Sequence, residues 1–436
     1  MDVLVLYRKF RLVDRATIRD HLYSLKRYAK ECNFVYLNVD GPAAFKKAVL
    51  EYPFDAVVFH YTFLAMRFDK DFDEQYSALR EKLQSLRGYK VFVVHDEYVF
   101  TRALWRMIRE LNIEHVYATC YPEDYETIFP VAETGKPDLC STVFPGYVEE
   151  RLVRRLRRKI CRPRKIDVGY RALRSSYSFG EHGQLKTEVA EKVSEALAGY
   201  PEIRADIRMT EEGYVNTIVG NRWFDYLCSC RATIGCLGGS SLLDPDGRFR
   251  TDALNYIRLH PQAGYAEVEH ECYPGRDHSV RSHLFGPKIF ECAMTKTCQI
   301  LMEDDYQGIL VPGVDFIQIA RDFSNLQQVI ERLKDKTYCA EIAQRCYEHI
   351  VAAEKYTYRS FAQILQADLK RAAAPGKSNA NISRLRARIL LRDLLCSLKM
   401  VPQFVKQQIA NMLWSISPRL YKRLRARRHA GEAESA

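Results

Sequence analysis

Apolar residues recur along this chain with two different periods. Short runs of β-branched and aromatic residues at 3–7, 34–39, 55–61, 90–95 and 115–119 read as strands. Between them, 15–32, 42–50, 72–86 and 100–111 carry apolar residues at helical spacing. Such alternation predicts a parallel sheet with helices on both faces. A basic stretch at 151–165 interrupts the pattern, which then resumes. Helices are expected at 185–197, 223–230, 287–294, 326–333, 339–353 and 358–370, and strands at 203–208, 232–236 and 299–302. The class is therefore α/β, with two Rossmann-like units at 1–150 and 166–371 joined by 151–165. Two such units in tandem set a ligand-binding cleft between them. No G-x-G-x-x-G follows the first strand, so the ordinary dinucleotide fingerprint is absent.

From position 372 the composition changes. Ala-Ala-Ala-Pro-Gly-Lys-Ser-Asn reads as a linker. Beyond it Phe404, Val405, Ile409, Met412, Leu413 and Ile416 form one helical stripe beside Trp414, so 372–436 reads as a linker and basic amphipathic tail. The formal net charge of +11 is concentrated here: 384–428 holds twelve Lys/Arg against the single Asp393, which leaves the rest of the chain near neutrality. A neutral body with a basic tail points to an anionic membrane surface as partner, with a merely solvated charge run as the alternative. The nine Lys/Arg of 151–165 could mark a nucleic-acid patch, but Leu152, Leu156 and Ile160 at helical spacing favour an exposed connecting helix. No aromatic stacking platform lies among the basic residues, so no nucleic-acid partner is expected.

Of the 436 residues 47% are hydrophobic and 28% charged, which excludes a largely disordered chain. No run approaches the roughly 18 apolar residues of a membrane span. Met1-Asp2-Val3 leads directly into strand-like residues, so no signal peptide is expected. Thirteen scattered cysteines without a C-x-x-C pair fit reduced thiols in a cytoplasmic protein, which the basic tail would hold at the inner face of the membrane as a peripheral protein.

The densest chemistry lies at Gly286-Pro287-Lys288-Ile289-Phe290-Glu291-Cys292-Ala293-Met294. A helix that starts after a Gly-Pro turn offers free backbone N–H groups and a positive dipole end to an anion such as diphosphate. Lys288 adds a full charge there, and Glu291, one turn on, is placed to accept from paired sugar hydroxyls; the plain reading of Glu291 is an exposed helix glutamate. Gly238-Gly239-Ser240-Ser241 follows a strand and lacks bulk, which suits backbone approach to a phosphate or sugar.

This block, with 222–235, 239–247 and the closing repeat around Tyr356-Thr357-Tyr358-Arg359, resembles the C-terminal half of GT-B glycosyltransferases, in particular the group 1 and spore-coat CgeB-like branch, over roughly 166–369. The resemblance implies a GT-B arrangement, two Rossmann-like domains facing a cleft. The acceptor then lies against the first domain and a nucleotide-diphosphate sugar against the second. It implies donor contacts at Lys288, Glu291, Gly239, Ser240 and Gly286, with the sugar nucleotide as co-substrate and no cofactor. Glu291 matches the second, ribose-contacting Glu of the family's E-x7-E motif; the first falls on His283, a departure, and Leu237 stands where relatives carry an acidic residue. The implied reaction is metal-independent glycosyl transfer to a glycan or lipid-linked acceptor in surface polysaccharide synthesis. The departures leave a non-catalytic scaffold at a membrane assembly as the alternative.

Asp244-x-Asp246 superficially matches a metal-binding D-x-D, but Asp-Pro-Asp-Gly is also a strong turn sequence, and no metal is expected. His60-Tyr61-Thr62 and His95-Asp96-Glu97-Tyr98 fall at the C-terminal ends of predicted strands, which face the crevice of an open parallel sheet. His95, Asp96 and Glu97 are the candidate catalytic residues for deprotonating or orienting an acceptor; the competing reading is that they cap the following helix.

Overall fold

The computed structural model describes residues 1–9, 15–210, 218–373 and 381–399, with side chains in the last helix through residue 392. Eleven of its thirteen strands form two parallel sheets. The first contains β1 (Asp2–Tyr7), β2 (Asn33–Asn38), β3 (Ala56–Phe59), β4 (Tyr89–Val93), β5 (His115–Ala118) and β6 (Cys140–Thr142), in the order β2-β1-β3-β4-β5-β6. The chain continues with β7 (Ile166–Leu173), β8 (Ala205–Thr210), β9 (Cys230–Gly235), a two-stranded antiparallel pair β10 (Gly238–Ser240) and β11 (Ser282–Leu284), then β12 (Cys298–Met302) and β13 (Ile317–Ile319). The second sheet has the order β13-β12-β9-β7-β8.

The central strands are buried on both faces, as β1 shows with six consecutive buried residues. That is why they read as continuous apolar runs rather than as alternation. In each sheet the strand order reverses beside the first strand, between β1 and β3 and between β7 and β9. An open α/β sheet presents its binding crevice at such a reversal, outside the C-terminal strand ends. The expected α/β class with two Rossmann-like units is thus what the protein has.

Several elements differ from expectation. Helix Tyr358–Ala372, assigned by pattern to the second unit, packs on the first sheet: Tyr358, Phe361, Leu365 and Leu369 bury with Val3, Val5 and the helix Ala16–Tyr28. Helix Ile382–Lys399, expected as part of a free tail, also docks there, with Ile382, Leu385 and Ile389 buried in the first core. Arg386 donates to the Phe34 carbonyl, and Arg392 reaches the Asn38 carbonyl and Asp40 beside edge strand β2. Residues 382–392 are therefore engaged with the protein body, and the stripe from Phe404 onward lies outside the described residues.

The 42–50 helix is only two short turns, Pro42–Ala44 and Lys47–Leu50. In the basic stretch the helix covers Glu150–Leu156, and Arg164 is no exposed charge: it donates to the carbonyls of Leu227, Cys230, Thr295 and Lys296. The helix expected from 185 begins earlier, at Gly180. Tertiary partners cap it there, Asp277 accepting from the Glu181 amide and Ser241 Oγ from the His182 amide. No helix among the described residues is long and apolar enough to cross a membrane.

Candidate functional site

The C-terminal edges of the two sheets meet. Tyr98, after β4, packs edge-on against Phe179, and its carbonyl accepts from the Asp244 amide. The amides of Phe100 and Arg102 then donate to the carbonyls of Asp244 and Pro245, and Arg102 pairs with Asp246. Gly247 closes this Asp-Pro-Asp-Gly turn at φ +71, with the Phe100 ring where a Cβ would stand. Asp244 accepts from the Arg250 amide. Both aspartates are thus used by the turn and its docking. After β5, Tyr121 donates to Asp305, and Arg281 lies over the Tyr121 ring.

At the first reversal, a directed chain of imidazoles crosses the crevice floor. The Thr62 amide donates to His60 Nδ1, which fixes the proton on Nε2. That N–H donates to His21 Nδ1 at 3.0 Å, and His21 in turn bonds the Phe144 carbonyl. Both rings are buried, His21 and His60 each being 2% exposed. Burial, then the neighbouring His95 charge, lowers His21 to about 3, and His60 is likewise held well below the usual range. They stay neutral.

His95 and Asp96 sit beside this chain, after β4. His95 Nδ1 lies 2.9 Å from Asp96 and its ring packs near Tyr61. Burial disfavours the imidazolium, but the charge and hydrogen bond of Asp96 outweigh it, so the His95 pKa is raised. Burial also works against the Asp96 carboxylate; His95 and Arg67 overcome it and hold its pKa well down. Asp96 adopts φ +56, and the loop is fixed by the fully buried Arg67, which donates to the His95 and Asp96 carbonyls at 2.7 and 2.8 Å.

Glu97 does not join them. It is wholly buried and accepts from the Thr119 and Cys120 amides at 2.6 Å each and from the Thr119 hydroxyl. Its carboxylate ties β4 to β5, which removes it from the candidate catalytic set.

At the second reversal Lys288 is central. Its Nζ donates to the Ile234 carbonyl at 2.9 Å and lies 4.1 Å from the centre of the Tyr170 ring, with no carboxylate partner among the described residues. Burial lowers its pKa. Lys186 Nζ lies beside Gly238, and Lys186, Lys288 and Arg321 all act on the Cys236 thiol, which makes the crevice cationic. Gly286 caps the helix Pro287–Met294 and has open space at its Cα.

The other donor candidates have structural occupations. Ser240 is fully buried, its hydroxyl bonded to the Phe179 and Leu242 carbonyls. Gly239 needs its φ of +101 because a Cβ would overlap the Ser282 carbonyl across the β10–β11 pair. Glu291 is 8% exposed, its two oxygens accepting from Thr17 Oγ1 at 2.6 Å and Trp223 Nε1 at 2.7 Å. Since Thr17 belongs to the first unit, Glu291 is a clamp across the seam. A shallow hollow adjoins it, lined by Asp20, Tyr147, Glu149 and Phe224 among others.

Sequence pattern alone missed His21, Arg67, Lys186 and Arg321, which reach the crevices from helices or loops far along the chain. His283, the departure at the first motif position, stacks on His182 at 3.7 Å and lies 3.0 Å from Asp304.

No family model and no curated protein matches this sequence. Among solved structures, HepE of Anabaena in complex with UDP and glucose is similar at 11% identity and TM-score 0.46, over 85% of this chain and 100% of that one. Sucrose-phosphate synthase of Thermosynechococcus elongatus is similar at 10% identity and TM-score 0.46, over 85% and 98%. An α-glucosyltransferase in complex with UDP-glucose and DNA containing an abasic site gives 10% and 0.46, over 85% and 99%. At these values the likenesses carry no information on substrate.

Proposed function

We propose that this protein is a glycosyltransferase of the GT-B kind, in the CgeB-like branch, that moves a sugar from a nucleotide-diphosphate sugar to a glycan or lipid-linked acceptor of surface polysaccharide synthesis. The observation that carries the reading is the Lys288 ammonium, without a carboxylate partner among the described residues, at the second sheet's reversal and in the first turn of the helix Pro287–Met294, with Lys186 close by. A desolvated cation at the positive end of a helix suits a diphosphate, whose departing charge it stabilises as the glycosidic bond breaks. On the opposite wall, the His95–Asp96 pair has the geometry of an oriented base. Asp96 occupies Nδ1, which leaves Nε2 for the acceptor hydroxyl proton. Arg67 acts by positioning that pair. Glu291 accepts from Thr17 and Trp223, so a ribose hydroxyl there would take a remaining lone pair or displace one of the two.

A panel of nucleotide sugars tests the reading by binding and by nucleotide release. Binding lost in Lys288→Met, with release slowed about 10²–10⁴-fold in His95→Gln at unchanged donor affinity, is the expected result. Nucleotide binding without turnover favours the alternative, a non-catalytic scaffold, which His283 and the use of Glu291 as a clamp support. A cytoplasmic protein held at the membrane face by its basic tail belongs to the same proposal. Because 382–392 docks on the body, flotation on acidic liposomes compares the full chain with one ending at Lys399.

A further inference from the structure

His182, His283 and Asp304 come from three separate segments: the first turn of the helix Gly180–Leu197, strand β11, and the loop after β12. One ligand atom from each lies within 4.8 Å of the other two. The hydrogen-bond directions make this more than proximity. His182 Nε2 contacts the Gly238 carbonyl at 2.9 Å, and a carbonyl only accepts, so Nε2 carries the proton and Nδ1 is a bare lone pair. That Nδ1 is buried and has no hydrogen-bond partner, in a side chain 2% exposed. His283 Nδ1 is also buried, and the group it faces is Asp304 Oδ2 at 3.0 Å. Asp304 Oδ1 accepts from the Asp305 amide and has Arg281 at 3.5 Å, which leaves Oδ2 turned toward the histidines.

Buried polar atoms in a folded protein ordinarily have partners. An unpartnered imidazole nitrogen gathered with a second imidazole nitrogen and a carboxylate oxygen suits a ligand that accepts electron pairs. A ring N–H given to a backbone carbonyl is also the usual arrangement behind a metal-bound histidine. We propose that His182 Nδ1, His283 Nδ1 and Asp304 Oδ2 form a binding site for one divalent transition-metal ion of the zinc, cobalt or nickel type.

Two imidazoles and one carboxylate suit these ions rather than magnesium or calcium, which prefer all-oxygen sets. Metal–ligand bonds of about 2.0–2.2 Å with tetrahedral angles put ligand atoms about 3.4 Å apart, so binding draws the groups in from 4.8 Å and turns the two stacked rings out of their parallel arrangement. Three protein ligands leave a further position open, the pattern of a reactive rather than a purely structural ion. The cluster adjoins the cationic crevice, since Asp304 and Lys288 both act on Cys236. The site stands on its own residues and is independent of the proposed sugar transfer.

The test uses the full chain, stripped with chelator, exchanged into buffer and titrated with Co²⁺ and with Zn²⁺. Visible ligand-field absorption and elemental analysis after dialysis are the readouts. One retained equivalent per chain is expected, with affinity reduced at least about tenfold in His283→Asn and in Asp304→Asn and unchanged in the exposed control His260→Ala. Zn²⁺ raises the melting temperature of the parent chain and not of the two variants, which reports on the site even if a variant is less stable. No retained ion, equal retention in all variants, or a sulfur-to-cobalt charge-transfer band that places the ion on cysteine overturns the site.

Discussion

Replacing Glu291 separates a clamp from a ribose contact. The carboxylate is nearly excluded from water and accepts one hydrogen bond from Thr17 and one from Trp223. Hydrogen bonds to a charged group contribute about 1.5–3 kcal/mol each, so Glu291→Ala is expected to cost about 3–5 kcal/mol, with the Trp223 N–H losing its acceptor. Burial raises the Glu291 pKa, so part of its desolvation cost disappears with the carboxylate, and the lower end of that range is the better expectation. Glu291→Gln behaves differently. Its amide oxygen can face the Trp223 N–H while its NH₂ donates to Thr17 Oγ1, because a hydroxyl also accepts. It loses only the charge assistance, about 1–2 kcal/mol. Thr17→Val removes one bond, and its effect should shrink in the Glu291→Ala background, since the shared partner is gone. Urea unfolding of the four chains and the double variant measures this, alongside nucleotide titration. The clamp is refuted if Glu291→Ala shifts stability by less than about 0.5 kcal/mol while abolishing nucleotide binding, which is the signature of a residue held for the ligand.

Three further outcomes follow from the site. Lys288→Met should weaken nucleotide binding at least about tenfold and leave the unliganded protein as stable or more so, since it removes a buried ammonium without a carboxylate partner; a large loss of stability points to a structural lysine. Glu97→Ala should destabilise by about 3 kcal/mol or more, because the Thr119 and Cys120 N–H groups both lose their one acceptor oxygen, whereas Glu97→Gln keeps that oxygen, can turn its NH₂ toward the Thr119 hydroxyl and costs less; full stability of the Ala variant with lost turnover restores Glu97 to catalysis. The buried neutral His21 makes stability fall as pH drops from about 6.5 toward 3, because the unfolded chain binds the proton that the folded one refuses. The loss reaches about 2 kcal/mol by pH 5; a His21→Asn chain should show a shallower decline, and an equal slope in both counts against the imidazole chain.

Strand and helix periodicity, which needs only neighbours within one element, made most of both sheets legible, β1 with its six buried residues being the clearest case. The helix Pro287–Met294 was equally clear, since the Gly-Pro start and the apolar stripe are local signals. The allegiance of Tyr358–Ala372 was not, because an amphipathic helix states that it buries one face and not against which sheet. Residue type put Lys288 at an anion site and His95 at a strand end, and the chain folds both into crevices. It could not tell an available carboxylate from an occupied one. Glu97 and Glu291 look like site residues in sequence, and it is the distant Thr119, Cys120, Thr17 and Trp223 that engage their oxygens. The converse holds for His182, His283 and Asp304, over 100 residues apart at the extremes and gathered by the β10–β11 pair and the end of β12. Hydrogen-bond saturation is a property of three-dimensional neighbourhood, so the tertiary structure alone decided which polar groups remain open to a ligand.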